Sequence, residues 1–267
     1  MDKEKRSEGE ETTKNAVQSQ FSRSAEAYVS SPIHAQGKDL HKLVEIAHPT
    51  GNEHVLDIAT GGGHVANALA PLVHRVTALD LTEEMLLAAR RFLEKNGRTN
   101  VDFVKGDAET LPFQDGVFDI VTCRIAAHHF PHVASFINEA FRVLKPGGSF
   151  LLVDNVVPEE EAFDEFYNEL EKRRDYSHHR AWKKSEWVSM TERAGFEIGE
   201  WHRFTKTFKF DEWCDRMHLS DEQKQGLTYF VMNAPEKVKR KFRIEIQGRQ
   251  VDTFQGESIV LKAVKPA

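Results

Sequence analysis

From His54 onward the chain alternates between two hydrophobic rhythms. Short apolar runs of five or six residues are followed by longer stretches in which apolar positions return every third or fourth residue. The runs are the pattern of strands buried on both faces of a parallel sheet, and the stretches between them are the pattern of helices that cover it. Strands are predicted at 54–58, 75–80, 101–105, 118–123 and 149–153. Helices are predicted from Val65 to Leu72, from Glu83 to Lys95 and from His132 to Leu144. Thr82 is placed to cap the second of these, acids fill its first turn, and Asn96-Gly97 stops it. Strand and helix in strict alternation mean a doubly wound α/β sheet.

The flanks have other patterns. Residues 1–20 carry almost no apolar side chains and are expected to form a disordered tail. Phe21, Ala25 and Tyr28, then Leu40, Leu43, Val44 and Ala47, recur at helical spacing. Pro32 and Gly37 interrupt that spacing, so the cap at 21–48 is read as a short helix before Pro32 and a longer one ending near His48. After the core at 51–154 come predicted helices at 160–174 and 185–193 and a strand at 196–208. An insertion at 209–256 follows, with helical patterns at 211–217, 222–232 and 236–240 and a period-two pattern at 242–246. It is read, with the rest of 155–256, as the substrate side and a lid. The last strand falls at 258–264, within a closing segment at 257–267.

Composition narrows the function. The 267 residues suffice for one α/β domain with additions. A net charge of −6 argues against a dedicated nucleic-acid binder. Two cysteines, Cys123 and Cys214, lie far apart without a C-x-x-C pair, against a disulfide framework or zinc knuckle. No apolar run approaches membrane-spanning length, and a cytoplasmic location is expected.

The candidate chemistry begins at Val55-Leu56-Asp57-Ile58-Ala59-Thr60-Gly61-Gly62-Gly63. A buried strand ends in a carboxylate, breaks into glycines and enters a helix whose first turn offers unpaired N–H groups. Asp57, Asp80 and Asp107 each end one of the first three strands. Ligands of open α/β sheets bind outside those ends. Neighbouring strands ~4.8 Å apart would set the acids in a row about 10 Å long, which suits a nucleoside. Asp80 is placed to accept the ribose hydroxyls and Asp107 an exocyclic amine. Gly61-x-Gly63-x-x-Ala66 also fits a dinucleotide fingerprint. A carboxylate at Asp57 would repel a pyrophosphate, however, and would attract the ammonium and sulfonium of S-adenosylmethionine.

Asp57-x-Ala59-x-Gly61-x-Gly63, Leu79-Asp80-Leu81-Thr82-x-x-Met85 and Gly106-Asp107-Ala108-Glu109-x-Leu111-Pro112-Phe113 together resemble the class I S-adenosylmethionine-dependent methyltransferases, in the branch near the UbiE-type enzymes. Cys123 to Phe130, and Arg174-Asp175-x-Ser177-His178-x-Arg180, are similar to the YcgJ-like methyltransferases. Ala59 departs from the glycine of many relatives. The resemblance implies a Rossmann-like, mostly parallel seven-stranded sheet with the last strand antiparallel and helices on both faces. It implies that Asp57, Ala59, Thr60, Gly61 and Gly63 hold the methionyl part and Asp80 the ribose. Leu81 and Met85 would flank the adenine, Asp107 and Ala108 would bond it, and Arg124 would line the methionyl and substrate side. Tyr28 would close over the cofactor, although simple helix packing explains it equally well. The product would be S-adenosylhomocysteine.

His128 and His129 stand on the loop after the fourth strand, where a base of pKa about 6.5 suits proton removal; packing of the loop is the competing reading. Pro131 breaks any helix that would align His128 with His132, so no metal site is expected. Arg124, His178 and Arg180 are candidates for an anionic group of the substrate, or a solvated face. No nucleophile elbow or phosphate-binding lysine motif occurs, which fits methyl transfer, because that reaction needs positioning more than a triad. The expected acceptor is small and partly apolar, methylated at oxygen or carbon; a homodimer is compatible with the sequence. A nicotinamide-dependent oxidoreductase and a non-catalytic S-adenosylmethionine-binding regulator remain the alternatives.

Overall fold

The computed structural model describes residues 14–22 and 37–267. Tyr28 and the short helix expected before Pro32 lie outside the described residues. Helix α1 covers residues 14–22. It is followed by α2 (Lys38–Ala47), β1 (His54–Ile58), α3 (His64–Leu69), β2 (Arg75–Asp80), α4 (Glu83–Lys95), β3 (Val101–Lys105) and β4 (Phe118–Arg124). Next come α5 (Val133–Val143), β5 (Leu144–Val157), α6 (Glu161–Arg174), β6 (Trp182–Lys183), α7 (Lys184–Arg193) and β7 (Glu197–Lys209). The chain ends with α8 (Phe210–Asp215), α9 (Asp221–Met232), α10 (Glu236–Lys241), β8 (Glu245–Gln247) and β9 (Gln250–Val264).

Seven strands form the path β3-β2-β1-β4-β5-β9-β7. Two short strands raise the sheet to nine, β6 beside β5 and β8 beside β9. β1 to β5 run parallel, and β9 lies antiparallel between β5 and β7. The order reverses between β1 and β4, which opens a crevice at their carboxyl ends. Apolar side chains fill both faces. Leu56, Ile58, Val121 and Leu152 pack under α5 and α7; Val55, Val76, Val153 and Val260 pack under α2, α3 and α4.

Two expectations change. Residues 14–20, assigned to a disordered tail, are helical. Their partners are distant in sequence: Lys14 pairs with Asp107 and Glu109, Gln18 donates to the Leu81 carbonyl, and Phe21 packs on Met85 and Ala88. A polar segment with few apolar residues is ordered here by long-range contacts that local composition does not register. The insertion at 209–256, expected as part of a lid, packs on α6. Its Trp213, Leu227, Val231, Val238 and Phe242 form a core of their own with Phe163, Phe166 and Tyr167 of α6. Trp187 of α7 is buried in the main core.

Candidate cofactor site and active site

A groove opens at the carboxyl ends of β1, β2 and β3. Asp57, Asp80 and Asp107 all line it, with Ala59, Thr60, Gly61, Leu81, Met85, Ala108 and Arg124. The backbone turn after β1 needs three left-handed residues, Ala59 (φ 51°), Gly61 (φ 54°) and Gly63 (φ 80°). At Gly63 a side chain would press on Leu93 at 3.0 Å and Ala89 at 3.2 Å, so the glycine also lets α3 approach α4. Ala59 holds the same kind of angle with a Cβ, which stores strain at the turn.

Each carboxylate has a distinct environment. Asp57 is 1 % exposed. It accepts from the Thr60 hydroxyl at 2.6 Å and the Thr122 hydroxyl at 2.8 Å. Burial lifts its pKa from 3.8 to about 6, in spite of those hydroxyls. A buried carboxylate so poorly compensated favours a cation arriving from the groove. Asp80 accepts from Gly61 N at 2.9 Å and Thr82 N at 3.0 Å, which ties the β2 end to the glycine turn, and burial raises its pKa too. Asp107 accepts from Glu109 N at 2.9 Å, and its other oxygen meets Lys14 Nζ at 2.6 Å. Lys14 reaches Glu109 at the same distance, 2.6 Å.

The loop after β4 closes the groove's far side. Ile125 takes φ 53°, an angle rarely held by a β-branched residue, and its N–H donates to Val153 O at 2.7 Å. That turn delivers His128 and His129 over the strand ends. Asp154 of β5 clamps His128 through its backbone N–H (2.8 Å) and its Nδ1 (2.6 Å). Burial pulls the His128 pKa down, but the Asp154 charge and hydrogen bond outweigh it and leave the pKa raised. His129 lines the groove, and its Nδ1 lies 3.0 Å from the Ser177 carbonyl, an acceptor. Nδ1 therefore donates, and Nε2 keeps the lone pair. Burial and the neighbouring His128 push its pKa down to about 4. The two rings are 4.2 Å apart at their centroids.

A methyltransferase domain family matches residues 56–152. YcgJ of Bacillus subtilis, an uncharacterised methyltransferase, is 37% identical over 247 residues, covering 92% of this chain and 97% of YcgJ. This chain belongs to the YcgJ-like methyltransferases. The YcgJ crystal structure superposes with a TM-score of 0.83 at 34% identity, covering 86% of this methyltransferase and 98% of that chain. A provisionally assigned methyltransferase from Bacillus halodurans, 59% identical, gives a TM-score of 0.85 over 86% of this chain and 100% of its own. The UbiE C-methyltransferase of ubiquinone and menaquinone biosynthesis from Brucella canis is 33% identical over 172 residues, 56% of this chain and 64% of UbiE.

Within this methyltransferase the residues expected around the cofactor line one groove, except Gly63, which packs on α4, and Tyr28, which lies outside the described residues. Of the residues expected to bind substrate, His178 and Arg180 do not join them. His178 is buried against Asn168 at 2.9 Å, and burial lowers its pKa strongly. Arg180 is taken up by Asp164 at 3.0 Å and Glu186 at 3.1 Å and stacks on Trp182. Both lie outside the groove lining. Arg124 lines it and holds Asp39 of α2 at 3.0 Å. Sequence reading missed Lys14, Val17, Phe21, His64 and Ile125, all of which line the groove. Only Phe21 carried a signal, as the first apolar position of the cap.

Proposed function

We propose that this methyltransferase uses S-adenosylmethionine to methylate a small, partly apolar acceptor at oxygen or carbon. The observation that carries the reading is the row of Asp57, Asp80 and Asp107 around one groove. It presents a buried acid to an ammonium, a loop-anchored acid to a ribose diol and a rim acid to an exocyclic amine. A pyrophosphate would face the Asp57 charge at close range, which disfavours a nicotinamide dinucleotide. The cofactor would be held by Asp57 and the 59–63 turn at its methionyl end, by Asp80 at the ribose, and by Leu81, Met85, Asp107 and Ala108 at the base. When bound, it supplies an activated methyl group on a good leaving group.

The protein's own residues have three tasks there. The groove walls exclude water and orient the acceptor. His129, held by the Ser177 carbonyl at Nδ1 and with Nε2 4.0 Å from Asp175 Oδ2, gives the groove a fixed polar wall. With a pKa near 4 it is too weak a base to keep the proton. His128, raised by Asp154, is the better proton store.

Titration with S-adenosylhomocysteine and with NADH, followed by transfer of a tritiated methyl group from S-adenosylmethionine to a cell extract, tests this. Binding of the first ligand, silence of the second and label in a small-molecule fraction are expected. NADH binding alone would overturn the cofactor assignment. Tight S-adenosylhomocysteine binding with no label transferred would favour a regulator over an enzyme.

A further inference from the structure

Beyond Arg124, the face of the sheet that packs on α2 carries polar groups that the cofactor groove does not use. Cross-strand pairing places them together. Arg124 pairs with Val153, Val153 with Val260, and two and four residues before Val260 stand Ser258 and Gly256 on the same face. Gly256 is opposite Lys206, and Ser258 is opposite Phe204 on one side and Asn155 on the other. A side chain at Gly256 would meet the Tyr167 hydroxyl at 3.1 Å, so Tyr167 of α6 reaches into the place beside Lys206.

These groups are poorly satisfied. Asp39 Oδ2 is held by Arg124 Nε at 3.0 Å, while Lys206 Nζ stands 3.7 Å from the same oxygen. One carboxylate thus serves two cations, and burial lowers the Lys206 pKa. The next acid, Asp154, is engaged by His128 through both oxygens. Tyr167 and Ser258 are 1 % and 0 % exposed, and among the described residues neither hydroxyl makes a hydrogen bond of good geometry. Glu171, one helical turn from Tyr167, contributes to raising its pKa, after burial. A buried Ser258 hydroxyl with no partner among the described residues and a Tyr167 hydroxyl whose near acceptor is Glu171 alone, beside a lysine that shares its carboxylate, are costly, and an anionic oxygen would satisfy all three.

We propose that Lys206, Tyr167 and Ser258 form the acceptor subsite, and that the acceptor presents an anionic oxygen, a carboxylate or an ionised hydroxyl, to the Lys206 ammonium. This rests on the methyltransferase reading and narrows its substrate class. The subsite adjoins the cofactor groove through Arg124, which lines the groove and shares Asp39 with Lys206. Tyr167 and Ser258 supply neutral donors, and the absent side chain of Gly256 leaves the Tyr167 hydroxyl beside the lysine.

The test uses the full chain saturated with S-adenosylhomocysteine and two probe pairs, benzoate against benzamide and acetate against acetamide, with affinity read by tryptophan fluorescence. The wild type should bind the anion of each pair about tenfold more tightly. Lys206→Met should bring each pair to within about twofold, and Tyr167→Phe should fall between. Equal affinities in the wild type, or a preference that survives Lys206→Met, would overturn the proposal. A further comparison, S-adenosylhomocysteine against 5′-methylthioadenosine, separates the two sources of an anionic oxygen. Lys206→Met should leave that ratio unchanged. A collapsed ratio would mean that the lysine holds the cofactor's own carboxylate and would refute the acceptor subsite. Should Lys206→Met fail to fold, Tyr167→Phe and the wild-type preference still decide. Failure of S-adenosylhomocysteine to bind the wild type would refute the methyltransferase reading itself, and the subsite with it.

Discussion

Asp57→Asn separates the cost of burying a charge from its use in binding. The carboxyl has a pKa of about 6 against an ordinary 3.8, raised by burial and only partly restrained by the Thr60 and Thr122 hydroxyls. That gap corresponds to about 3 kcal/mol. A carboxyl whose folded pKa lies above its unfolded value binds its proton more tightly when folded. Its penalty is therefore absent below pH 3.8, grows as pH rises through the interval, and is complete above about 6. Asparagine removes the charge and keeps the shape. The substituted amide offers one acceptor oxygen to two hydroxyls, but Thr122 Oγ1 also lies 3.4 Å from the Leu56 carbonyl. The ligand-free variant should therefore be about 1–2 kcal/mol more stable than the wild type at pH 7.5, and indistinguishable from it near pH 4. S-adenosylhomocysteine affinity should change in the opposite sense, falling tenfold or more for want of a charged partner to the ammonium. In the wild type that affinity should weaken as pH falls through about 6, and in the variant this dependence should vanish. Thermal melts at the two pH values and calorimetric titrations supply the readout. A variant destabilised equally at both pH values, or one that binds the ligand as the wild type does, would refute the reasoning.

Further outcomes follow from the same site. Lys14→Ala frees Asp107 from its 2.6 Å contact, so S-adenosylhomocysteine should bind roughly three- to tenfold more tightly; weaker binding in calorimetry would mean that the lysine holds the ligand instead of competing with it. Ala59→Gly relieves a left-handed alanine and should add about 1 kcal/mol in urea denaturation; a loss of stability would show that the angle is unstrained. If His128 stores the proton, the acid limb of methyl-transfer turnover lies above pH 6.5 and moves down in Asp154→Asn, because the Asp154 charge is what raises the imidazole. A limb unmoved by that substitution would place the proton elsewhere.

The core of the fold was legible because its strands are buried on both faces. Such strands read as unbroken apolar runs, and a carboxylate at the end of a run is conspicuous. Asp57, Asp80 and Asp107 therefore located the groove from sequence, and pairing of β1 with β2 and of β2 with β3 puts them at neighbouring strand ends, each two residues beyond the partner of the one before. What stayed hidden depends on distance along the chain. Lys14 finds its partners 93 and 95 positions away, at Asp107 and Glu109, and nothing in its own neighbourhood announces a helix. Ile125 has the composition of a strand and the backbone of a turn, an angle imposed by the loop that carries the histidines. His178 and Arg180 carry the residue types of an anion site, yet Asn168, Asp164 and Glu186 satisfy them internally. Lys206 lies in an alternating strand, where its under-compensated charge becomes visible only once Asp39 is seen to belong to Arg124.

The central claim is that three strand-end aspartates read one adenosyl ligand, and calorimetry on wild type, Asp80→Asn and Asp107→Asn tests it most directly. The account predicts one S-adenosylhomocysteine bound per chain, with affinity falling about tenfold or more in Asp80→Asn and less in Asp107→Asn, whose acid sits at the rim with its side chain 30% exposed. No heat with S-adenosylhomocysteine, or equal affinity in all three proteins, would contradict it.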